Sequence, residues 1–412
     1  MHASTFKICA LTATLLTAVA CVGGHVDGDD DGSAGTPSSG GSPPTGSAGA
    51  PSKAGAAARA GSGGGAPIGG VSGGSGRGGA GGSAPGGAGS ASGGTGNVAQ
   101  AGAASGGAGP VNPAAGAGGA LPKFVGNITT GNNTMDQGTR KFATYWDQVT
   151  PENAGKWGSV QSNVSAAFNW TALDAIYDYT ETNHIIFKQH NFIWGSQQPG
   201  GSVDQAAVQK WMTEFCKRYP NTKLIDVVNE PPPHTTPSYA GNIGGGTNGD
   251  WKWIANAFTW ARAACPGAVL ILNDYNDIEW PNDNAHMIDI VKKIQTLDAP
   301  IDAIGAQAHD LDNGSVSVAT VTKLLGQLNS ETGLPIYITE LDMSTTDDNA
   351  QLDLYKQYFP LLMSTEFVKG ITIWGWIYGQ TWSSAPSSGL IKSGAPRPAM
   401  TYLMDQLGRP AP

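Results

Sequence analysis

The sequence predicts an α/β fold, a (β/α)8 TIM barrel over residues 121–412, preceded by a signal peptide and a long disordered Gly/Ser/Ala/Pro linker. Three observations carry that prediction. Short apolar runs alternate with longer amphipathic stretches eight times through this region. Acidic, amide, imidazole and indole side chains recur at the ends of those runs, where parallel barrel strands open onto one face. Nearly three hundred residues of globular composition are present, enough for a barrel of ~250 residues.

The strands are expected near 124–129 (FVGNIT), 145–150, 185–193 (IIFKQHNFI), 223–228, 268–273 (AVLILN), 301–306, 335–339 and 369–374 (KGITIW). Each is short and rich in β-branched or aromatic residues, as strands covered on both faces are. Amphipathic helices are expected near 134–143, 171–182, 204–218, 249–264, 282–297, 316–330 and 348–365, with a last one near 398–407. Ser202 or Asp204 supplies an N-cap for the third of these. An open doubly wound sheet would need a Gly-rich phosphate turn after its first strand, and none is there.

The first 120 residues read differently. Lys7 precedes an apolar run from Ile8 to Ala20 that is too short to span a bilayer. Residues 1–21 are therefore expected to be a signal peptide. The small residues before Cys21 suggest the lipoprotein type, with ordinary cleavage near this point as the alternative. Membrane contact is expected only through such a lipid. Residues 22–120 are Gly, Ser, Ala and Pro with few large apolar groups, and are expected to form a disordered tether. The protein is thus expected to be exported, as a surface lipoprotein or a secreted protein, and a monomer by default.

Lys and Arg number 23 against 32 Asp and Glu, a net charge of −9, which argues against nucleic acid and anionic membranes as partners. All 12 Trp lie after residue 145, which suits sugar faces. Cys216 and Cys265 occupy equivalent places in consecutive βα units, as a disulfide or as two buried thiols. The histidines show no metal-ligand pairing on a helix, and no Gly-x-Ser-x-Gly elbow with a supporting His is present. No metal or cofactor is expected.

Two acidic residues stand out. Glu230 closes the run KLIDVVNE, and Glu340 lies in PIYITELDMS. A carboxylate at a buried strand end is costly to desolvate, so stability does not explain it. Two of them facing one cleft are the working parts of a glycoside hydrolase. Glu152 and Asn153, His190 and Trp194, Asn229, Asn273 to Tyr275, Gln307 and His309, Asp342, and Trp374 fall at the other strand ends.

Taken together, these motifs resemble glycoside hydrolase family 10, the endo-β-1,4-xylanases on a (β/α)8 barrel, over roughly residues 121–408. TPENAGKW looks like the glycone-binding segment, which implies that Glu152, Asn153, Lys156 and Trp157 hold sugar. KQHNFIW gives His190 and Trp194, DVVNEP gives Asn229 and Glu230, and IGAQAH gives Gln307 and His309. ITELDMS gives Glu340 with Asp342 behind it, and WGWIYGQTW gives Trp374 and Trp382. The resemblance implies hydrolysis of xylan with retention, by carboxyl groups about 5–5.5 Å apart. Glu340 would be the nucleophile, partnered by His309, with Asp342 orienting that histidine. Glu230 would be the acid/base. Asn229 would bond the sugar 2-hydroxyl, Gln307 would support the nucleophile or the same sugar, and Trp194, Trp374 and Trp382 would wall the pyranose rings. Three positions depart from the pattern: Gly195 where many members have a second His, Tyr378 where Asp is common, and Ser383 where a basic residue is common. They leave open another β-glycan or a plant glycoside as substrate. A catalytically inactive carbohydrate-binding surface protein is the reading from another class.

Overall fold

The structure, a computed structural model, describes residues 121–245 and 249–412. The expected signal peptide, Cys21 and the expected linker over 22–120 lie outside the described residues. Eight strands form the frame: β1 (Phe124–Ile128), β2 (Gln148–Thr150), β3 (Ile186–Ile193), β4 (Leu224–Asn229), β5 (Val269–Asp274), β6 (Ala303–Ala306), β7 (Ile336–Leu341) and β8 (Val368–Ile373). They pair in chain order, and β8 closes on β1 with Phe124 opposite Gly370, all parallel. The expected (β/α)8 barrel is the observed fold.

Around it run α1 (Phe142–Tyr145), α2 (Trp157–Val160), α3 (Thr171–Asn183), α4 (Gln205–Arg218), α5 (Lys252–Ala264), α6 (Pro281–Gln295), α7 (Val318–Thr332), α8 (Asp348–Ser364) and α9 (Pro398–Gln406). Asp204 caps α4 by accepting from the Ala207 N–H. Ser317 and Asp347 cap α7 and α8 in the same way. None of the helices in the described residues is long and apolar enough to cross a membrane.

The helix expected over 134–143 does not form. Gly138 turns at φ 58°, and Gln137 pairs with Arg140 in an antiparallel bridge instead. The Asp136 carboxylate accepts from the Phe142 N–H at 3.0 Å, so helical structure starts only at α1. The second strand likewise begins at Gln148, three residues later than expected.

Two apolar layers hold the barrel. Inside its N-terminal end, Phe124, Ile186, Leu224, Ile271, Ala303 and Tyr337 form a plug. A Cβ on Gly370 would stand 2.3 Å from the Phe124 ring, so the plug requires glycine there. Between strands and helices lies the larger core, with Trp146, Trp211, Trp253 and Trp376 fully buried. Cys216 in α4 and Cys265 just after α5 are disulfide-bonded, their Cα atoms 5.4 Å apart. Above the plug the barrel interior turns polar. Strand side chains alternate faces, so Ile186 in the plug is followed on the same face by Lys188 and His190, and Leu224 by Asp226.

Candidate active site

The polar layer is built around Asp226, which is fully buried in β4. Its Oδ2 accepts from the Lys188 ammonium and, at 2.9 Å, from His190 Nδ1. His190 also lies 3.9 Å from Glu340 Oε1. A buried anion is tolerated when paired and hydrogen-bonded, and His190 links this cluster to Glu340.

Glu340, on β7, is 4% exposed. Asn273 Nδ2 donates to its Oε1 at 2.9 Å, and His309 Nε2 stands 3.4 Å from its Oε2. Burial opposes its charge, but His190, the hydrogen bond and charge of His309, and the Lys188 ammonium outweigh it and bring the carboxyl down to about 2. His309 Nδ1 donates in turn to Asp342 Oδ1 at 3.1 Å. Burial works against the His309 charge, yet Asp342 and Glu340 hold that imidazole well above its ordinary range. Trp382 Nε1 donates to the other Asp342 oxygen at 3.2 Å, and its ring lies 4.7 Å from that of His309.

Glu230 follows β4 in a left-handed conformation, φ 50°. Trp194 Nε1 and Thr235 Oγ1 donate to its Oε2 at 2.7 and 2.9 Å. Asn229 Nδ2 and Gln307 Nε2 approach its Oε1 at 3.4 and 3.3 Å. Asn229 Oδ1 accepts from Asn273 Nδ2 at 2.6 Å, and that same nitrogen donates to Glu340. Two amide side chains therefore connect the carboxylates. Thr339 Oγ1 donates to Asn273 Oδ1 at 2.6 Å and fixes which way the bridge faces.

The third carboxylate, Glu152, follows β2 and is buried, and its Oε2 has no hydrogen-bond partner among the described residues. Burial raises its carboxyl to about 7; Lys156 opposes the rise and Glu340 adds to it. The Lys156 ammonium donates to Asn153 Oδ1 at 2.9 Å and lies 4.7 Å from the centre of the Trp194 ring. Burial lowers its affinity for the proton, against the pull of Glu340, Glu152 and Glu230. Trp374 meets His190 edge-on, 5.3 Å between ring centres.

One residue lies elsewhere than the motifs suggest. Trp157 is 2% exposed, donates to Gln161 and stacks on Trp211 at 5.9 Å, so it belongs to the core. Gln307 contacts Asn229 and Glu230. Tyr378 packs between Lys392 and Arg397, 5.1 and 5.6 Å from its ring centre. Asp274 accepts from His234 Nδ1 at 2.7 Å, and His234 stacks on Tyr275 with ring centres 3.8 Å apart. Burial works against the His234 charge, but Asp274 and Asp283 raise it to about 9. Lys188, Asp226, Thr339 and Thr235 were not marked by the motifs. The first three carry a readable signal: polar residues of the right parity inside apolar strands.

A parallel eight-stranded barrel with two linked carboxylates at its C-terminal rim defines the class of protein. Residues 118–406 match the family model described as Glycosyl hydrolase family 10, and the chain belongs to that family. Endo-1,4-beta-xylanase B of Cellvibrio japonicus (strain Ueda107) is 39% identical over 290 residues, which cover 69% of this chain and 45% of that protein. A bifunctional endo-1,4-beta-xylanase of Ruminococcus flavefaciens is 28% identical over 310 residues, 66% of this chain and 32% of that one. The chain thus spans less than half the length of either relative. Among solved structures, a psychrophilic glycoside hydrolase family 10 endo-beta-1,4-xylanase superposes with a TM-score of 0.59 at 25% identity, covering 68% of this chain and 96% of its own. Native xylanase 10B from Thermotoga maritima gives 0.58 at 22% identity, with 69% and 94% covered, a likeness of fold.

Proposed function

We propose that the protein is an endo-1,4-β-xylanase that cleaves internal bonds of xylan by double displacement with retention. The observation that carries this reading is the Asn229–Asn273 bridge between a carboxyl group held ionised, Glu340, and a second one, Glu230, whose own hydrogen bonds come from Trp194 and Thr235. Glu340 attacks the anomeric carbon as the glycosidic C–O bond breaks, and Glu230 gives its proton to the departing oxygen. Water then attacks the glycosyl ester, Glu230 takes its proton, and Glu340 leaves as a carboxylate. Asn229 bonds the 2-hydroxyl. Glu152, Asn153, Lys156 and His190 hold the glycone, Gln307 steadies Glu230, and Trp194, Trp374 and Trp382 wall the rings. His309 and Asp342 orient and charge-balance the nucleophile. The names of the relatives support the substrate. Reducing-sugar release from xylan, set beside cellulose and mannan, tests it, and anomer detection by NMR tests retention. No release from xylan, or an inverted product, refutes the reading.

The same proposal gives residues 121–412 as the catalytic domain, acting as a monomer. Residues 1–21 direct export, Cys21 carries lipid and residues 22–120 tether the domain at the cell surface; the composition of these segments supports this. Labelling with a radioactive fatty acid that is lost in Cys21→Ala tests the anchor.

A further inference from the structure

We infer that Thr235 is a positioning residue for the proton donor, and that Gly195 is small so that Thr235 can reach it. This rests on the reading of Glu230 as the acid/base. On leaving β4 the chain folds back at once. The His234 N–H donates to Pro231 O and the Thr235 N–H to Glu230 O, each at 3.1 Å. The turn lays Thr235 and Thr236 directly against Gly195. A Cβ at Gly195 would stand 2.6 Å from the Thr236 carbonyl oxygen and 2.7 Å from Thr235 Cγ2. Backbone blocks one side of that space, so any side chain at 195 displaces the segment.

The close approach brings the Thr235 hydroxyl to Glu230 Oε2, where it donates at 2.9 Å beside the Trp194 indole at 2.7 Å. An indole N–H only donates, so Oε2 accepts from Trp194, and the Thr235 hydroxyl donates to the same oxygen. A neutral carboxyl group carries its proton on one oxygen, and two donors on Oε2 direct it to Oε1. Asn229 Nδ2 and Gln307 Nε2 also face Oε1 as donors, but at 3.4 and 3.3 Å they hold it far more weakly than Oε2 is held, so the proton falls to Oε1, toward the amide bridge to Glu340. Thr235 transfers no proton itself. It fixes which oxygen holds the proton and the direction in which that proton leaves.

The test uses the full chain and aryl β-xylobiosides of graded leaving-group acidity. A strongly acidic phenol departs without protonation, whereas a weakly acidic one needs the proton. The readout is kcat/KM, which reports the first chemical step. Thr235→Val should slow the phenyl substrate roughly tenfold and leave the dinitrophenyl substrate within about twofold, as expected for losing one hydrogen bond to a charged group. Thr235→Ser should restore the phenyl rate. Gly195→Ala should reproduce the selective loss and add little to Thr235→Val. Glu230→Ala supplies the reference pattern. If it slows both substrates alike, the assignment of Glu230 as donor fails. If it is selective while Thr235→Val is silent or slows both alike, the role given to Thr235 is overturned.

Discussion

Replacing Glu152 with glutamine should reverse a pH-dependent loss of stability. Glu152 is 3% exposed and one of its oxygens has no hydrogen-bond partner among the described residues. Burial moves its carboxyl from 4.5 to about 7, with Lys156 opposing and Glu340 reinforcing. The folded chain therefore keeps a proton that the unfolded chain releases once the pH passes 4.5. Stability falls as pH rises through that window, and the full penalty is present above pH 7. A rise of this size corresponds to about 3 kcal/mol, against a total of ~5–15 kcal/mol for a typical domain. An amide in place of the carboxyl group would match the shape without the charge, so Glu152→Gln should gain about 3 kcal/mol on the parent between pH 4 and pH 8. Urea unfolding at both pH values, followed by tryptophan fluorescence, measures this, and other titrating groups cancel in the difference. A difference that is the same at both pH values, or larger in acid, would mean that Glu152 is already solvated or paired as an anion.

Other changes have equally definite outcomes. Glu340→Ala should lower kcat on xylan by roughly 10⁴-fold or more while xylo-oligosaccharide binding, measured by calorimetry, survives. His309→Asn removes a hydrogen bond and a charge that help hold Glu340 near 2, so the acid limb of kcat/KM should move upward by about one pH unit; an unmoved limb would mean that His309 leaves the Glu340 charge untouched. Lys188→Met deprives the buried Asp226 of its ammonium partner, leaving the His190 contact, and should cost about 3 kcal/mol in urea unfolding, with most of it recovered when Asp226→Leu is added. Cys216→Ala with Cys265→Ala opens a link across 49 residues and should cost about 2–4 kcal/mol, read as a lower Tm.

The strands were legible because barrel strands are covered on both faces and read as bare apolar runs. The helix expected at 134–143 fails for a local reason. Its amphipathic spacing is real, but Gly138 takes the left-handed region and Asp136 spends its carboxylate on the Phe142 N–H. Trp157 shows a limit of another kind: an indole that stacks on a core neighbour and one that faces the cleft are the same letter. The rim residues could be located from strand ends, whereas Lys188 and Asp226 lie two or more residues deeper and required strand parity to find. Thr235 had no local signature, since its contact depends on the path a loop takes over Gly195.

The Cys216–Cys265 link fastens the far end of the barrel, where α4 and α5 run down into β4 and β5. Those two strands deliver Glu230 and Asn273 to the opposite end. One covalent rivet thus clamps the staves that carry Glu230 and the bridging Asn273, at the opposite end from those side chains and without occupying any of their space. Reductant should therefore loosen this sector of the wall before the rest, and blunt turnover at temperatures where the remaining staves still stand.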